Sequence, residues 1–169
     1  MGGVPGTLLC FWCKGGCSTA KVAGALTFFP PEPHYTLQKD PNNPERLIFR
    51  VHEDLQPLPF DNVEAQIVTT RRRKNIPVVL YRYRNAKYTL IFSHGNATDL
   101  GAMHDRFVGL AMSLQINIVG YDYTGYGHSH DTCTEGDTYA DLEAVFDWVV
   151  KNVAPQPETS VILYGQSVG

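Results

Sequence analysis

The chain carries Gly165-Gln166-Ser167-Val168-Gly169, a G-x-S-x-G directly after the apolar run Ser160-Val161-Ile162-Leu163-Tyr164. A serine at the end of a strand can attack an acyl carbon if the chain turns sharply enough to lift its hydroxyl clear of the sheet. Small residues two before and two after it remove the clashes of so tight a turn. Gly165 and Gly169 meet that need. The Val168 N–H is then expected to face the oxyanion formed on attack, helped by the positive end of a following helix. A second donor has to come from the loop after an upstream strand. His94-Gly95-Asn96, behind Tyr88-Thr89-Leu90-Ile91-Phe92, stands where that loop belongs, with the Asn96 amide as the donor. An ordinary glycine-rich strand-to-helix turn would account for Ser167 alone, and a loop histidine satisfied by backbone for His94, but the two segments in this order point to acyl transfer.

His94 is set aside as the general base, because in this arrangement the acid and the histidine follow the serine along the chain. His128 and His130 are expected to be loop residues on the same ground. Asp122 is expected to bond its own loop backbone, and Asp99, Asp105 and Asp141 to sit on solvated helix faces. Tyr121, Tyr123 and Tyr126 are expected to pack over the sheet edge rather than line a cleft.

The elements that position these residues follow from hydrophobic period. Leu47 to Val51 and Val63 to Thr70 read as strands, the latter joined to Ile76–Tyr83 through Arg71-Arg72-Arg73-Lys74-Asn75. That basic cluster is expected to be a solvated hairpin turn rather than a nuclear signal. A strand at Tyr88–Phe92 leads to an amphipathic stretch from Thr98 to Leu114, then a strand at Ile116–Tyr121. A helix from Thr138 to Val153 and the strand Ser160–Tyr164 complete the run. Continuous apolar strands alternating with helices predict a mostly parallel, doubly wound α/β sheet, preceded by antiparallel strands.

Residues 1–33 differ in composition. Cys10, Cys13 and Cys17 lie among Leu8, Leu9, Phe11 and Trp12, with Lys14 and Lys21 the only charged side chains before Pro30. Thiols beside apolar residues and lysines read as S-acylation sites on a segment touching the cytoplasmic leaflet of a membrane. Two acyl chains give stable anchoring where one gives only marginal affinity. A zinc site is the weaker reading, since no fourth ligand precedes His34. Myristoylation wants Ser or Thr where Gly6 stands, and a secretory signal wants basic residues before its apolar stretch. A plain tail is the remaining alternative. Ala20–Phe29 is spaced for a short helix stopped by Pro30, Pro31 and Pro33, which predicts a boundary between a targeting segment, 1–33, and a domain, 34–169.

Composition limits the function classes. At 169 residues and 43% hydrophobic the chain can bury a core, and its 14 Lys+Arg against 17 Asp+Glu, net -3, give no basic field for nucleic acid. No apolar run approaches the roughly 20 residues that span a bilayer, and the cysteines are too few for a secreted disulfide scaffold.

Three segments together resemble the α/β-hydrolase domain-containing protein 17 family. They are Phe92-Ser93-His94-Gly95-Asn96-Ala97 with Asp99-Leu100-Gly101, Tyr121-Asp122-Tyr123 with Gly125-Tyr126-Gly127, and Ile162 to Gly169. The cysteine cluster followed by Ala25-Leu26-Thr27-Phe28-Phe29-Pro30-Pro31-Glu32-Pro33 looks like that family's acylated targeting segment. The resemblance covers almost the whole chain. It implies an α/β-hydrolase fold and a membrane-associated serine hydrolase that removes palmitate from S-acylated protein cysteines. Ser167 would be its nucleophile and the Asn96 and Val168 amides its oxyanion donors, with no cofactor or metal. It also implies a location on the cytoplasmic face of plasma or endosomal membranes. One departure is Ser129-His130-Asp131, where the family usually has a Ser-x-Gly turn. The family supplies the nucleophile helix, triad acid and catalytic histidine downstream of Gly169, so the chain is expected to correspond to the N-terminal part of a hydrolase and to turn over little by itself. A carboxylic ester or lipid hydrolase, or a non-catalytic membrane-bound interaction protein, are the alternatives.

Overall fold

A computed structural model describes residues 18–154 and 156–169. In chain order they form helix α1 (Thr19–Thr27), strands β1 (Tyr35–Asp40), β2 (Asn43–Val51), β3 (Val63–Thr69), β4 (Asn75–Tyr81) and β5 (Thr89–Ser93), helix α2 (His104–Leu114), β6 (Asn117–Tyr121), α3 (Glu135–Asn152), the short α4 (Pro157–Ser160) and β7 (Val161–Gly165). The seven strands make one sheet in the order β1-β2-β3-β4-β6-β5-β7.

The alternating run read from the sequence is β5-α2-β6-α3-β7, with β5 parallel to both β6 and β7. β1 to β4 meander antiparallel, and β4 meets β6 antiparallel. The α/β class therefore holds, but only two of the six strand pairings described are parallel. Parallel order is confined to the end of the sheet that carries the loops of interest.

Both faces of the central strands are covered, which is why they read as unbroken apolar runs. Val79, Tyr81, Phe92 and Ile118 pack toward Phe107 and Ala111 of α2, whereas Val78, Leu80, Ile91 and Val119 pack toward Val145 and Val149 of α3. β7 forms the edge beyond β5, and Ile162, Leu163 and Tyr164 are 42%, 57% and 43% exposed.

Four local readings change. A strand at Tyr35–Asp40 lies where the sequence reads as a polar connector: its register opposite β2, Tyr35 against Val51, overrides weak local propensity. α2 begins at His104 rather than Thr98, because Asp99 is captured by distant backbone. Its carboxylate accepts the His34 N–H at 2.7 Å and the Ala102 N–H at 2.8 Å, fully buried instead of solvated. Asp141 is buried as well, accepting the Thr124 N–H at 2.7 Å and hydroxyl at 2.9 Å. Asp105 is exposed as expected, yet still accepts the Leu58 N–H. The basic cluster is the β3–β4 turn, three of its four charges engaged in ion pairs of Arg71 with Glu143, Arg72 with Asp137 and Lys74 with Asp131.

The described part of the N-terminal segment does not stand clear of the sheet. Ser18 caps α1, Phe28 packs against the α3-side core, and Gly24 is buried against the Cys133 carbonyl. The compositional change near Pro30 thus marks no physical gap. Cys10, Cys13 and Cys17 lie outside the described residues.

Burial pushes the Asp141 carboxyl from 3.8 up to about 6, against the pull of the Thr124 donors. With its folded value above the unfolded one, this group favours the fold fully at low pH and loses that contribution as pH rises through about 6. Asp141→Asn should therefore gain stability relative to the parent between about pH 4 and pH 7, by up to about 3 kcal/mol. Denaturant midpoints at the two pH values check this, and parallel pH profiles would refute it.

Candidate functional site

The loops at the C-terminal ends of β5, β6 and β7 converge, as expected where open α/β sheets place ligands. After β7 the backbone turns so sharply that Ser167 takes φ 59°, the left-handed region that a residue with a Cβ rarely adopts. Such strain persists only where neighbours enforce it. Here the Gln166 N–H donates to the Ser93 carbonyl at 3.0 Å, and the Gly169 N–H to the Gln166 carbonyl at 3.1 Å. A Cβ on Gly165 would come within 2.5 Å of the Gly169 backbone, and one on Gly169 within 2.3 Å of the Ser93 oxygen. Both glycines are sterically required.

The loop after β5 lies against this turn. A Cβ built on Gly95 would sit 3.7 Å from the Ser167 Cβ and from the Gln166 oxygen, so the two sequence segments are adjacent in space. That distance is ordinary contact, so the close approach itself would tolerate a methyl group at Gly95. Neither the Asn96 nor the Val168 N–H is given to an acceptor among the described residues. Val168 is 36% exposed beside Ser167.

His94 does not face the serine as a base. It is fully buried, with Nε2 3.1 Å from Asp122 Oδ1 and Nδ1 2.8 Å from the Gly95 carbonyl. His128 is a loop residue whose Nε2 meets the Tyr35 carbonyl at 3.0 Å, and His104 lies between the Tyr81 hydroxyl and the Leu58 carbonyl. Among these rings none is offered to Ser167.

Among the hydrogen bonds of the described residues the Asp122 carboxylate takes none from its own loop backbone, contrary to the expectation, and reaches across the sheet instead. Fully buried, it accepts from the Leu100 N–H at 3.0 Å, from His94, and from the Tyr35 hydroxyl at 2.6 Å, tying β6 to the loop after β5 and to β1. Burial and the Asp122 charge hold the Tyr35 phenol far above its usual range, so it stays a donor. Gly127 turns at φ +53° directly over this carboxylate, where a Cβ would collide with Asp122 Oδ2. The bracing partner Tyr35 carries no local signal in the sequence, being 87 residues from Asp122.

The three tyrosines pack rather than line a cleft. Tyr121 shares a 2.7 Å hydrogen bond with Ser93 Oγ, Tyr123 donates to the His94 carbonyl at 2.7 Å, and Tyr126 donates to Asn96 Oδ1 at 2.6 Å. Burial pushes the Tyr126 hydroxyl up to about 12. Ser129-His130-Asp131 forms a defined loop in which the Ser129 hydroxyl donates to the Asn75 carbonyl and Asp131 pairs with Lys74. A cavity of about 340 Å³ touching Thr89, Asn117 and Ser160 lies at the opposite ends of the parallel strands, away from Ser167. Among the described residues no three His, Cys, Asp or Glu side chains converge to hold a metal ion, and no helix is long and apolar enough to cross a membrane.

No protein-family model matches the chain. It is 39% identical over 166 residues to human alpha/beta hydrolase domain-containing protein 17B, covering 96% of this chain and 57% of that protein. It is 39% identical over 164 residues to the Caenorhabditis elegans alpha/beta hydrolase domain-containing protein aho-3, covering 96% of this chain and 48% of that one. The chain is thus a homologue of the N-terminal part of these proteins and spans about half their length. In fold it is similar to a Pyrococcus furiosus esterase, with TM-score 0.56 and 22% identity over 85% of this chain and 48% of the esterase. A Pyrobaculum calidifontis esterase gives TM-score 0.54 at 19% identity, over 66% of this chain and 36% of the esterase. The fold is that of the α/β hydrolases.

Asp122→Ala should strand three buried donors and cost about 3 kcal/mol or more, as loss of one partner of a buried charged pair does. Chemical denaturation checks the value, and a loss below about 1 kcal/mol would deny Asp122 its bracing role.

Proposed function

We propose that this chain is the nucleophile-bearing part of a serine hydrolase that removes palmitate from S-acylated cysteines of membrane-associated proteins. The observation that carries the reading is Ser167 held at φ 59° against the Gly95 loop, with the Asn96 and Val168 N–H groups given to no acceptor among the described residues. The thioester and the palmitoyl chain come from the family resemblance and the cysteine cluster.

In the proposed reaction Ser167 Oγ gives up its proton and bonds to the thioester carbonyl carbon, whose oxygen becomes an oxyanion. The Asn96 and Val168 N–H groups donate to that oxygen, and loss of one such donor costs roughly 100-fold or more in rate. The tetrahedral species collapses with cleavage of the C–S bond, and the departing sulfur takes up a proton to leave as the cysteine thiol. Water then attacks the acyl-serine, releasing the fatty acid and restoring the Ser167 hydroxyl. Since His94 is committed to Asp122 and Gly95, the base and its supporting acid are assigned to the part of the hydrolase that the relatives carry beyond the matched half. Acylation of Cys10, Cys13 and Cys17 would place the enzyme on the cytoplasmic face of plasma or endosomal membranes, beside its acylated substrates.

In the full-length protein, Ser167→Ala should abolish labelling by a fluorophosphonate probe and release of palmitate from a palmitoyl-cysteine peptide. Undiminished labelling would move the nucleophile elsewhere. Cleavage of a carboxylic ester but not of the thioester would make the protein an ester hydrolase, and no turnover of either would favour a binding role. Replacing Cys10, Cys13 and Cys17 together by Ser should shift the protein from the membrane to the soluble fraction on centrifugation. Firm attachment of that variant would refute the anchor.

A further inference from the structure

One side chain ties the N-terminal segment to the loop that carries the Asn96 N–H. Asn96 Oδ1 accepts the Phe29 N–H at 2.9 Å, the Tyr126 hydroxyl at 2.6 Å and the Ala97 N–H at 3.0 Å, while Nδ2 donates to the Thr27 carbonyl at 2.7 Å. Both ends of the amide are committed to groups of the matching kind, so a flipped amide would set its NH₂ against donors. The far partners are themselves fixed. Tyr126 packs on the His94 ring, 5.6 Å between centroids, and its hydroxyl also lies 3.2 Å from the Phe29 nitrogen. Phe28 is packed into the α3-side core, and one turn earlier Gly24 meets the Cys133 carbonyl so closely that a Cβ would come within 2.0 Å of it.

The segment is therefore held at Gly24 and again at Thr27–Phe29, and the second hold is made by the residue that follows Gly95. Gly95 in turn lies in contact range of the Ser167 Cβ. We propose that the Asn96 side chain is a positioning residue: by knotting the backbone at Thr27 and Phe29 to its own loop, it holds the oxyanion N–H in register with Ser167. This deepens the reading of Ser167 as nucleophile and rests on it. The segment read from its composition as a targeting appendage then also acts as a brace for the active site.

Two variants break the knot from opposite sides. Asn96→Ala keeps the backbone N–H but removes the amide. Phe29→Pro removes the N–H that Oδ1 accepts, at a side chain 57% exposed. In the full-length protein each should lower kcat about 10-fold, a fraction of the roughly 100-fold cost of losing an oxyanion donor outright. KM should stay within about 2-fold, since the oxyanion forms only in the transition state. The double variant should be no slower than about the worse single one, because both cut the same link. Tyr126→Phe, which withdraws one donor and leaves the backbone bonds, should lose about 3-fold by the same reasoning and guards against a misfolded Asn96→Ala. Unchanged kcat in both single variants, or losses that multiply in the double, would overturn the proposal. Hydrogen exchange reads the knot without any activity: Asn96→Ala should speed exchange at the Phe29 amide and across residues 93–97. Unchanged exchange would overturn the knot even if Ser167 is the nucleophile, whereas activity surviving in Ser167→Ala would defeat the nucleophile assignment and leave the exchange result to judge the knot.

Discussion

A buried carboxylate holds the Ser167 end of this sheet together. Taking Asp122 out of water carries a penalty of several kcal/mol, offset only if strong donors surround it. Three do: the Leu100 N–H, the His94 ring and the Tyr35 hydroxyl, contributed by the segment after β5 and by β1. Charge-assisted bonds of this kind are short and directional, so they fix position as well as energy. Without them the loop after β5 would be tied to the segment after β6 by the Tyr123 and Tyr126 hydroxyls and by aromatic stacking.

That constraint passes outward. His94, held by Asp122, has its carbonyl taken by Tyr123 and its ring packed on Tyr126. Tyr126 in turn reaches Asn96, and Asn96 reaches Thr27 and Phe29. On the other side the Ser93 carbonyl holds Gln166, the residue before the strained serine. The left-handed turn at Ser167 is thus supported from the neighbouring strand as well as by its own glycines. A histidine beside a glycine at such a loop invites assignment as a base, and here it serves as a strut.

The segments that make up the candidate site were legible because each is local. Gly165 answers to the Gly169 backbone four residues on, and Gly169 to Ser93 on the neighbouring strand, while the buried runs of β5 and β6 announce a covered sheet by composition alone. What escaped depends on partners far along the chain. Asp99 and Asp141 look like ordinary surface acids, and Asp122 like a brace for its own loop, until His34, Thr124 and Tyr35 are brought to them, 65, 17 and 87 residues away. β1 was hidden for the same reason, since its strand character comes from pairing with β2. The break in composition near Pro30 suggested a separate appendage, whereas a single glycine, Gly24, lets α1 approach the Cys133 backbone and the Asn96 amide completes the join.

The most direct test of Ser167 as an acyl acceptor is to mix the full-length protein briefly with a palmitoyl thioester, quench in acid and map the added acyl mass by peptide mass spectrometry. The account predicts a palmitoyl group on the peptide containing Ser167, stable to neutral hydroxylamine as an oxygen ester and cleared on longer incubation. Thioester cleavage with the acyl group on another residue, or with no acyl-enzyme on Ser167 at any time point while the substrate is consumed, would contradict it.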